Sequence, residues 1–245
     1  MQILFLFILG LFVGSFLNVV ALRFRRENFL TTRSYCPKCE RVLKWWELIP
    51  VFGFIFLCAR CSNCEGRISL RYPLVELLTG MVFALLQNWF FILIFSIYIV
   101  IALYDLEHKI IPNELVYVSI FFSLIFQSIV SSFTLLDWLT GPIPFIFFAS
   151  FWYFSKGRAM GFGDAKLGLS VGLLLGFAKG LSAIVLAFWI GAFVSIVMMF
   201  WGRVGFITRA KKLTMKSEIP FAPFIIIGAF VSLIFNLDVL SVSLL

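Results

Sequence analysis

Apolar runs separated by short polar stretches make up most of this chain. At about 17–25 residues per membrane crossing, the runs at 2–22, 73–88, 89–105, 113–131, 138–155, 167–179, 181–202 and 221–241 predict eight transmembrane helices. The second and sixth are the shortest, and Asn88-Trp89 and Lys179-Gly180 are the thinnest turns. The first run is followed by Arg23, Arg25 and Arg26 and preceded by no basic residue, the wrong polarity for an export signal. It is expected to be a retained first helix with its N-terminus outside.

Composition agrees with that pattern. The chain is 62% apolar and 13% charged, with a mean hydropathy of +1.07, far from a soluble domain at about 45–50% apolar. The net charge of +8 alone would suggest nucleic acid, but ten of twenty Lys/Arg fall between Arg23 and Arg71 and the others mostly flank apolar runs. That placement fits a cytoplasmic membrane face in contact with anionic lipid, not a nucleic-acid groove. With the N-terminus outside, residues 23–72, 105–113, 156–166 and 203–220 face the cytoplasm. Nineteen of the twenty Lys/Arg then lie inside, Lys179 being the exception. The predicted fold is an all-α polytopic membrane protein with three parts: a first helix (1–22), a small cytoplasmic domain (23–72) and a seven-helix core (73–245).

Fifty residues bury little core, so the loop at 23–72 needs a cross-link. Cys36-Pro-Lys-Cys39 and Cys61-Ser-Asn-Cys64 supply two Cys-x-x-Cys knuckles, a ligand set for a structural tetrahedral zinc. Cys58 makes a rival pair with Cys61. Cys64 is preferred because its knuckle mirrors the first and leads into Glu65-Gly66. A redox Cys-x-x-Cys is the alternative reading. Between the knuckles, the apolar stretch 43–57, interrupted by Pro50, is too short to cross and reads as interfacial or re-entrant, with Trp45 and Trp46 at headgroup level.

Carboxylates at membrane edges are costly to keep without a use. Asp164, in Met160-Gly-Phe-Gly-Asp-Ala-Lys-Leu167, and Asp105, which ends an apolar run, both fall at cytoplasmic helix ends. Together they could share one proton across a scissile bond. Gly161 and Gly163 would permit a tight backbone beside Asp164, and Lys166 would offset local charge; a helix-capping role for Asp164 is the bland alternative. Glu76, Glu107 and Glu218 compete for the second place, while Asp137 and Asp238 fall on the far side. Glu76 could equally be an ion pair with Arg71 or a site residue. Residues 105–112 read as a turn exposing Asp105, His108 reads as an interfacial polar residue, and Asn18 as a packing or cleft residue of the first helix.

In order along the chain, several motifs resemble the bacterial type IV prepilin peptidases, membrane aspartic proteases of the Gly-x-Gly-Asp class. They are Gly14-Ser-Phe-Leu-Asn-Val-Val20, the two Cys knuckles, Trp45-Trp-Glu-Leu-Ile-Pro50, Tyr72-Pro-Leu-Val-Glu76, Asp105 with Ile111-Pro-Asn113, the Gly161–Asp164 motif, and Ile219-Pro-Phe-Ala-Pro223. Two departures are Ala222, where the family more often has glycine, and the lack of a proline between Phe24 and Arg33. The resemblance implies that Asp105 and Asp164 cut the basic leader from prepilins or pseudopilins at the cytoplasmic face of the bacterial inner membrane. It also implies methylation of the new N-terminus from S-adenosylmethionine, with the zinc-type cysteine region linked either to that methylation or to stabilising the domain. A leader peptidase without methyl transfer, or a transporter using the same carboxylates, is the alternative.

Overall fold

A computed structural model describes residues 1–24, 33–129, 138–158, 160–203 and 220–237. The described residues form eight α-helices and one 3-10 turn, with only isolated β-bridges between extended segments. The chain divides into two compact units, Met1–Val100 and Ile101–Leu245.

In the first unit, α1 (Gln2–Arg23) packs along α3 (Arg71–Leu86). Small residues make the approach possible. A Cβ on Gly10 would stand 2.8 Å from the Gly80 Cα, and one on Gly14 would stand 2.9 Å from the Glu76 Cα. The Gly10-x-x-x-Gly14 spacing puts both on one face, so the two backbones nearly touch, as small-residue membrane interfaces do. Between these helices lie the 3-10 turn Trp45–Leu48 and the one-turn helix α2 (Phe52–Phe56). Trp45, Phe52, Ile55 and Phe56 all expose more than half of their surface. The stretch 43–57 therefore forms two short helical pieces with bare aromatic faces rather than a crossing.

Helix α4 (Trp89–His108) runs across the boundary between the units. It continues past Asp105 for most of a turn and closes with Lys109 N–H on the Asp105 carbonyl. Asp105 is thus a helical residue, not part of the turn expected at 105–112. The second unit then comprises α5 (Asn113–Ile129), α6 (Pro142–Ser155), α7 (Phe162–Arg203) and α8 (Ala222–Ile234).

The 42 residues of α7 are not one rod: Gly176 has φ 75° and ψ −177°. In a continuous helix, residues 172 and 180 would be about 12 Å apart. Here a Cβ on Gly180 would lie 3.3 Å from the Gly172 Cα, so the chain doubles back. The expected break at Lys179-Gly180 falls at Gly176 instead, because only glycine readily takes that backbone angle, and Lys179 lies in the second segment, bonded to Asn236. Phe148, fully buried, presses on Gly168, and Gly228 lets α8 lie against Ala183 and Ala187. Among the described residues, three helices are long and apolar enough to cross a bilayer: Gln2–Arg23, Trp89–His108 and Phe162–Met199, the last including the Gly176 break. The chain is an integral membrane protein.

Candidate active site and cysteine cluster

Asp164 occupies the third position of α7, where a carboxylate meets the free N–H groups and positive end of the helix. Its carboxylate accepts the Gly161 N–H, and its own N–H bonds the Gly161 carbonyl at 3.2 Å. This is the reciprocal arrangement of a helix cap, so the capping role is real. It occupies one oxygen only: Oδ1 is buried with no hydrogen-bond partner among the described residues. Around Gly161 a Cβ would meet nothing within 4 Å beyond Asp164 Oδ2 and the Gly163 nitrogen. Among the described residues, no other atom crowds this side of the carboxylate. Gly163 has the opposite role, since a Cβ there would stand 2.7 Å from the Ile111 Cβ.

Asp105, 4% exposed, faces a second helix start. Its Oδ2 accepts the Ala222 N–H at 3.3 Å, the first residue of α8. Pro223 follows and has no N–H, leaving fewer end groups to satisfy. The two carboxylates lie close enough for the Asp105 charge to act on Asp164. The geometry is thus two buried acids, each at the N-terminus of a helix, within electrostatic reach of one another.

Ala222 was not singled out in the sequence as a contact to Asp105. Its signal was the paired prolines around it, and its backbone N–H does the work, so alanine serves where glycine is commoner. Lys166 reaches away from the acids to Asn113 Oδ1 (2.9 Å) and the Tyr117 hydroxyl (3.0 Å), tying the first turn of α7 to α5. His108 stacks on Tyr104 at 4.2 Å in an exposed position, and Glu107 is exposed. Glu218 and the far-side Asp137 and Asp238 lie outside the described residues. Glu76 belongs to the first unit, where Val51 N–H and Ser15 bind its carboxylate.

In the first unit the sulfur atoms of Cys36, Cys39, Cys61 and Cys64 all lie within 4.8 Å of one another, with Cys36–Cys64 at 3.8 Å and Cys39–Cys61 at 4.0 Å. Four thiolates about 2.3 Å from one zinc would stand about 3.8 Å apart. Cys58 is exposed and outside the cluster. The two knuckles repeat one backbone pattern 25 residues apart. Cys36 N–H bonds Arg41 O and Glu40 N–H bonds Cys36 O; Cys61 N–H bonds Gly66 O and Glu65 N–H bonds Cys61 O. Bridges Tyr35–Val42 and Arg60–Arg67 close both loops. Backbone N–H groups of Asn63 and Cys64 draw the Cys61 thiol down to about 6, and that of Arg41 lowers Cys39. Cys64 rises to about 11, the Gly66 N–H being outweighed by burial and the neighbouring sulfurs.

Glu47 clamps the knuckles together. It accepts Arg41 Nη2 and the Ser62 hydroxyl, each at 2.6 Å, and the Lys44 N–H at 2.7 Å. Burial pushes this carboxyl up, but the bonds from Ser62, Lys44 and Arg41 together hold it below the usual carboxylate range.

Family comparisons cover most of the chain. Residues 8–90 match the bacterial peptidase A24 N-terminal domain, and residues 90–196 match the type IV leader peptidase family. A protein of Myxococcus xanthus named prepilin leader peptidase/N-methyltransferase is 36% identical over 82% of this chain and 64% of its own length. One of the same name in Bacillus subtilis is 31% identical over 96% of this chain and 95% of its own. In Pseudomonas aeruginosa the corresponding figures are 28%, 94% and 89%. No solved structure matches the chain.

Proposed function

Because the chain belongs to the type IV leader peptidase family and is therefore a peptidase, we propose that Asp105 and Asp164 are its catalytic pair. The substrates are type IV prepilins or related pseudopilins, cut behind their basic leader. The observation that carries this assignment is that two buried carboxyls stand at two helix starts, near enough for the charge of one to act on the other.

The chemistry follows from two acids sharing one proton. The ionised partner takes a proton from water as the water oxygen attacks the scissile carbonyl carbon. The protonated partner donates a hydrogen bond to the carbonyl oxygen. Their titration belongs to the pair rather than to either residue. Positive helix ends help hold the single negative charge. Gly163 and Lys166 act by positioning, setting the start of α7 against Ile111, Asn113 and Tyr117.

Eight crossings with the N-terminus outside place both aspartates at the cytoplasmic face of the inner membrane and nineteen of twenty Lys/Arg inside. The substrate's apolar helix then enters from lipid while its basic leader stays in the cytoplasm. A transporter would hold such carboxylates near the midplane instead. Zinc is the metal that suits four cysteine sulfurs at these spacings, and it would staple residues 35–67 without taking part in hydrolysis. The relatives' name extends the reading to N-methylation of the cleaved product, with S-adenosylmethionine as donor.

The test is cleavage of a purified prepilin by the detergent-solubilised protein, comparing wild type with Asp105→Asn and Asp164→Asn, with zinc measured on all three. Both variants should keep their metal and lose cleavage. Wild-type cutting by either one would sink the paired-aspartate mechanism.

A further inference from the structure

Helices α5 and α7 meet along a polar seam inside the second unit. On α5, Ser119, Ser123 and Gln127 follow at four-residue intervals and so share one face. Ser119 and Ser123 are fully buried, as is Ser170 of α7, and Gln127 is 2% exposed. The Ser119 hydroxyl donates to the Val116 carbonyl and that of Ser123 to the Ser119 carbonyl, each at 2.8 Å. Across the seam the Ser170 hydroxyl donates to Ser119 Oγ at 2.9 Å, and its oxygen stands 3.4 Å from Ser123 Oγ. With the hydrogens directed in this way, Ser123 Oγ keeps its capacity to accept.

Gln127 departs from this pattern of paired groups. Neither its Nε2 nor its Oε1 has a hydrogen-bond partner among the described residues. A buried amide with donors and acceptor all unmet is costly. Long side chains on a helix lean over the turn before them, which carries the amide toward Ser123. Cβ atoms one turn apart are about 5–6 Å from each other, yet amide and hydroxyl do not bond directly. What joins them must be small and able both to donate and to accept. Water meets both conditions, and ordered waters satisfy buried groups of this kind.

The seam also bears on the acids. Lys166 ties α7 to Asn113 and Tyr117, and Ser170, one turn on, ties it to Ser119. Positions rise together on both helices, so α5 and the first segment of α7 run parallel. Attachment at two heights fixes the rotation and the axial position of Phe162–Leu175, and Asp164 lies two residues before the lower attachment.

We propose that ordered water bridges the Gln127 amide to Ser123 Oγ, and that this hydrated serine clasp positions the α7 segment carrying Asp164. The positioning role rests on the catalytic reading of Asp164 above; the water site does not.

The test uses the zinc-loaded full chain in nanodiscs. Melting temperatures are compared for wild type, Gln127→Leu, Ser123→Ala and the double variant. A bridged amide predicts that Gln127→Leu melts about 3 °C or more below wild type. The two losses should overlap, leaving the double variant within about 1 °C of the lower single one, because both changes remove the same bridge. A rise in melting temperature for Gln127→Leu, as an unpaired amide predicts, or fully additive losses would overturn the water site. A high-resolution map of wild type tests it independently of how the variants fold. Ordered water should stand about 2.7–3.2 Å from Gln127 Nε2 and from Ser123 Oγ, and its absence there would overturn the site. For the positioning role, Ser170→Ala is assayed at a temperature where it is fully folded. Its kcat for prepilin cleavage should fall about fivefold with KM unchanged, a barrier change without a binding change. Wild-type kcat, or a change in KM alone, would overturn positioning and leave the water site standing. Cleavage by Asp164→Asn at the wild-type rate would instead overturn the catalytic reading and with it the positioning role, while the melting comparison would stand.

Discussion

The cysteine cluster and the aspartate pair reach their geometry by opposite routes. Each knuckle is built from about eight consecutive residues, and one backbone pattern, repeated at 36–41 and 61–66, points two sulfurs inward. Only one tertiary step remains: bringing the two copies together, which Glu47 secures through Arg41 and Ser62. The aspartate site has no such local unit. Its groups lie at positions 105, 161–164 and 222, and each is aimed by the end of a different helix. A locally coded site tolerates distant changes and fails when its own ligands go. A site made of helix ends depends on how those helices pack.

The contrast is broken most directly at the acids. Asp105→Asn or Asp164→Asn should reduce prepilin cleavage by about a thousandfold or more, about 4 kcal/mol of barrier, with zinc per protein unchanged. Metal loss that tracked either substitution would show that the two sites are not built independently.

The next largest effect is expected at the cluster. Cys61→Ser should lower bound zinc at least tenfold, since a structural zinc supplies much of a small domain's folding free energy. Amide exchange across 35–67 should then become fast. Exchange that stays slow after metal removal would mean that Glu47 and the apolar contacts hold the knuckles without a staple.

A packing change should reach the acid site without touching an acid. Gly163→Ala puts a methyl group against Ile111, an overpacking that costs about 1–3 kcal/mol and should slow cleavage about tenfold. Adding Ile111→Ala should restore much of the loss. A double variant no better than Gly163→Ala alone would remove close packing as the reason for this glycine.

The smallest effect concerns Glu47. Glu47→Gln should cost about 1 kcal/mol, or about 2–4 °C in melting temperature. Because the folded carboxyl is held below its ordinary 4.5, its contribution is full above that value and fades as pH falls through the lower folded one. The melting difference between wild type and variant should therefore narrow as the pH is taken below 4.5 and through the lower folded value. A difference that persisted there would assign the loss to packing.

The same contrast explains what could be read from the chain. Cysteine spacing declares a local unit, so Cys36, Cys39, Cys61 and Cys64 were legible, and the exposed Cys58 separates cleanly from them. Apolar runs located nearly every helix, because length and hydropathy are local properties. Two details were not legible. Whether a run ends before or after Asp105 depends on which helix start meets the carboxylate, and Ala222 is 117 residues away. Lys166 looked like a counter-charge by sequence distance, yet Asn113 and Tyr117 hold it. Nothing near Lys166 in sequence encodes those partners.

Gly176 sets a length as well as a direction. Ending the first segment of α7 there leaves Phe162–Leu175, fourteen residues, or about 21 Å of helix. The hydrocarbon layer is about 30 Å thick. If Gly176 lies at the far headgroups, the end carrying Asp164 stops about 9 Å short of the near ones. Either lipid thins around the helix or water descends to meet the acid. On the proposed catalytic role of Asp164, the depth of hydrolysis would be set by a glycine twelve residues from the carboxylate, and membrane thickness would become a variable of the reaction.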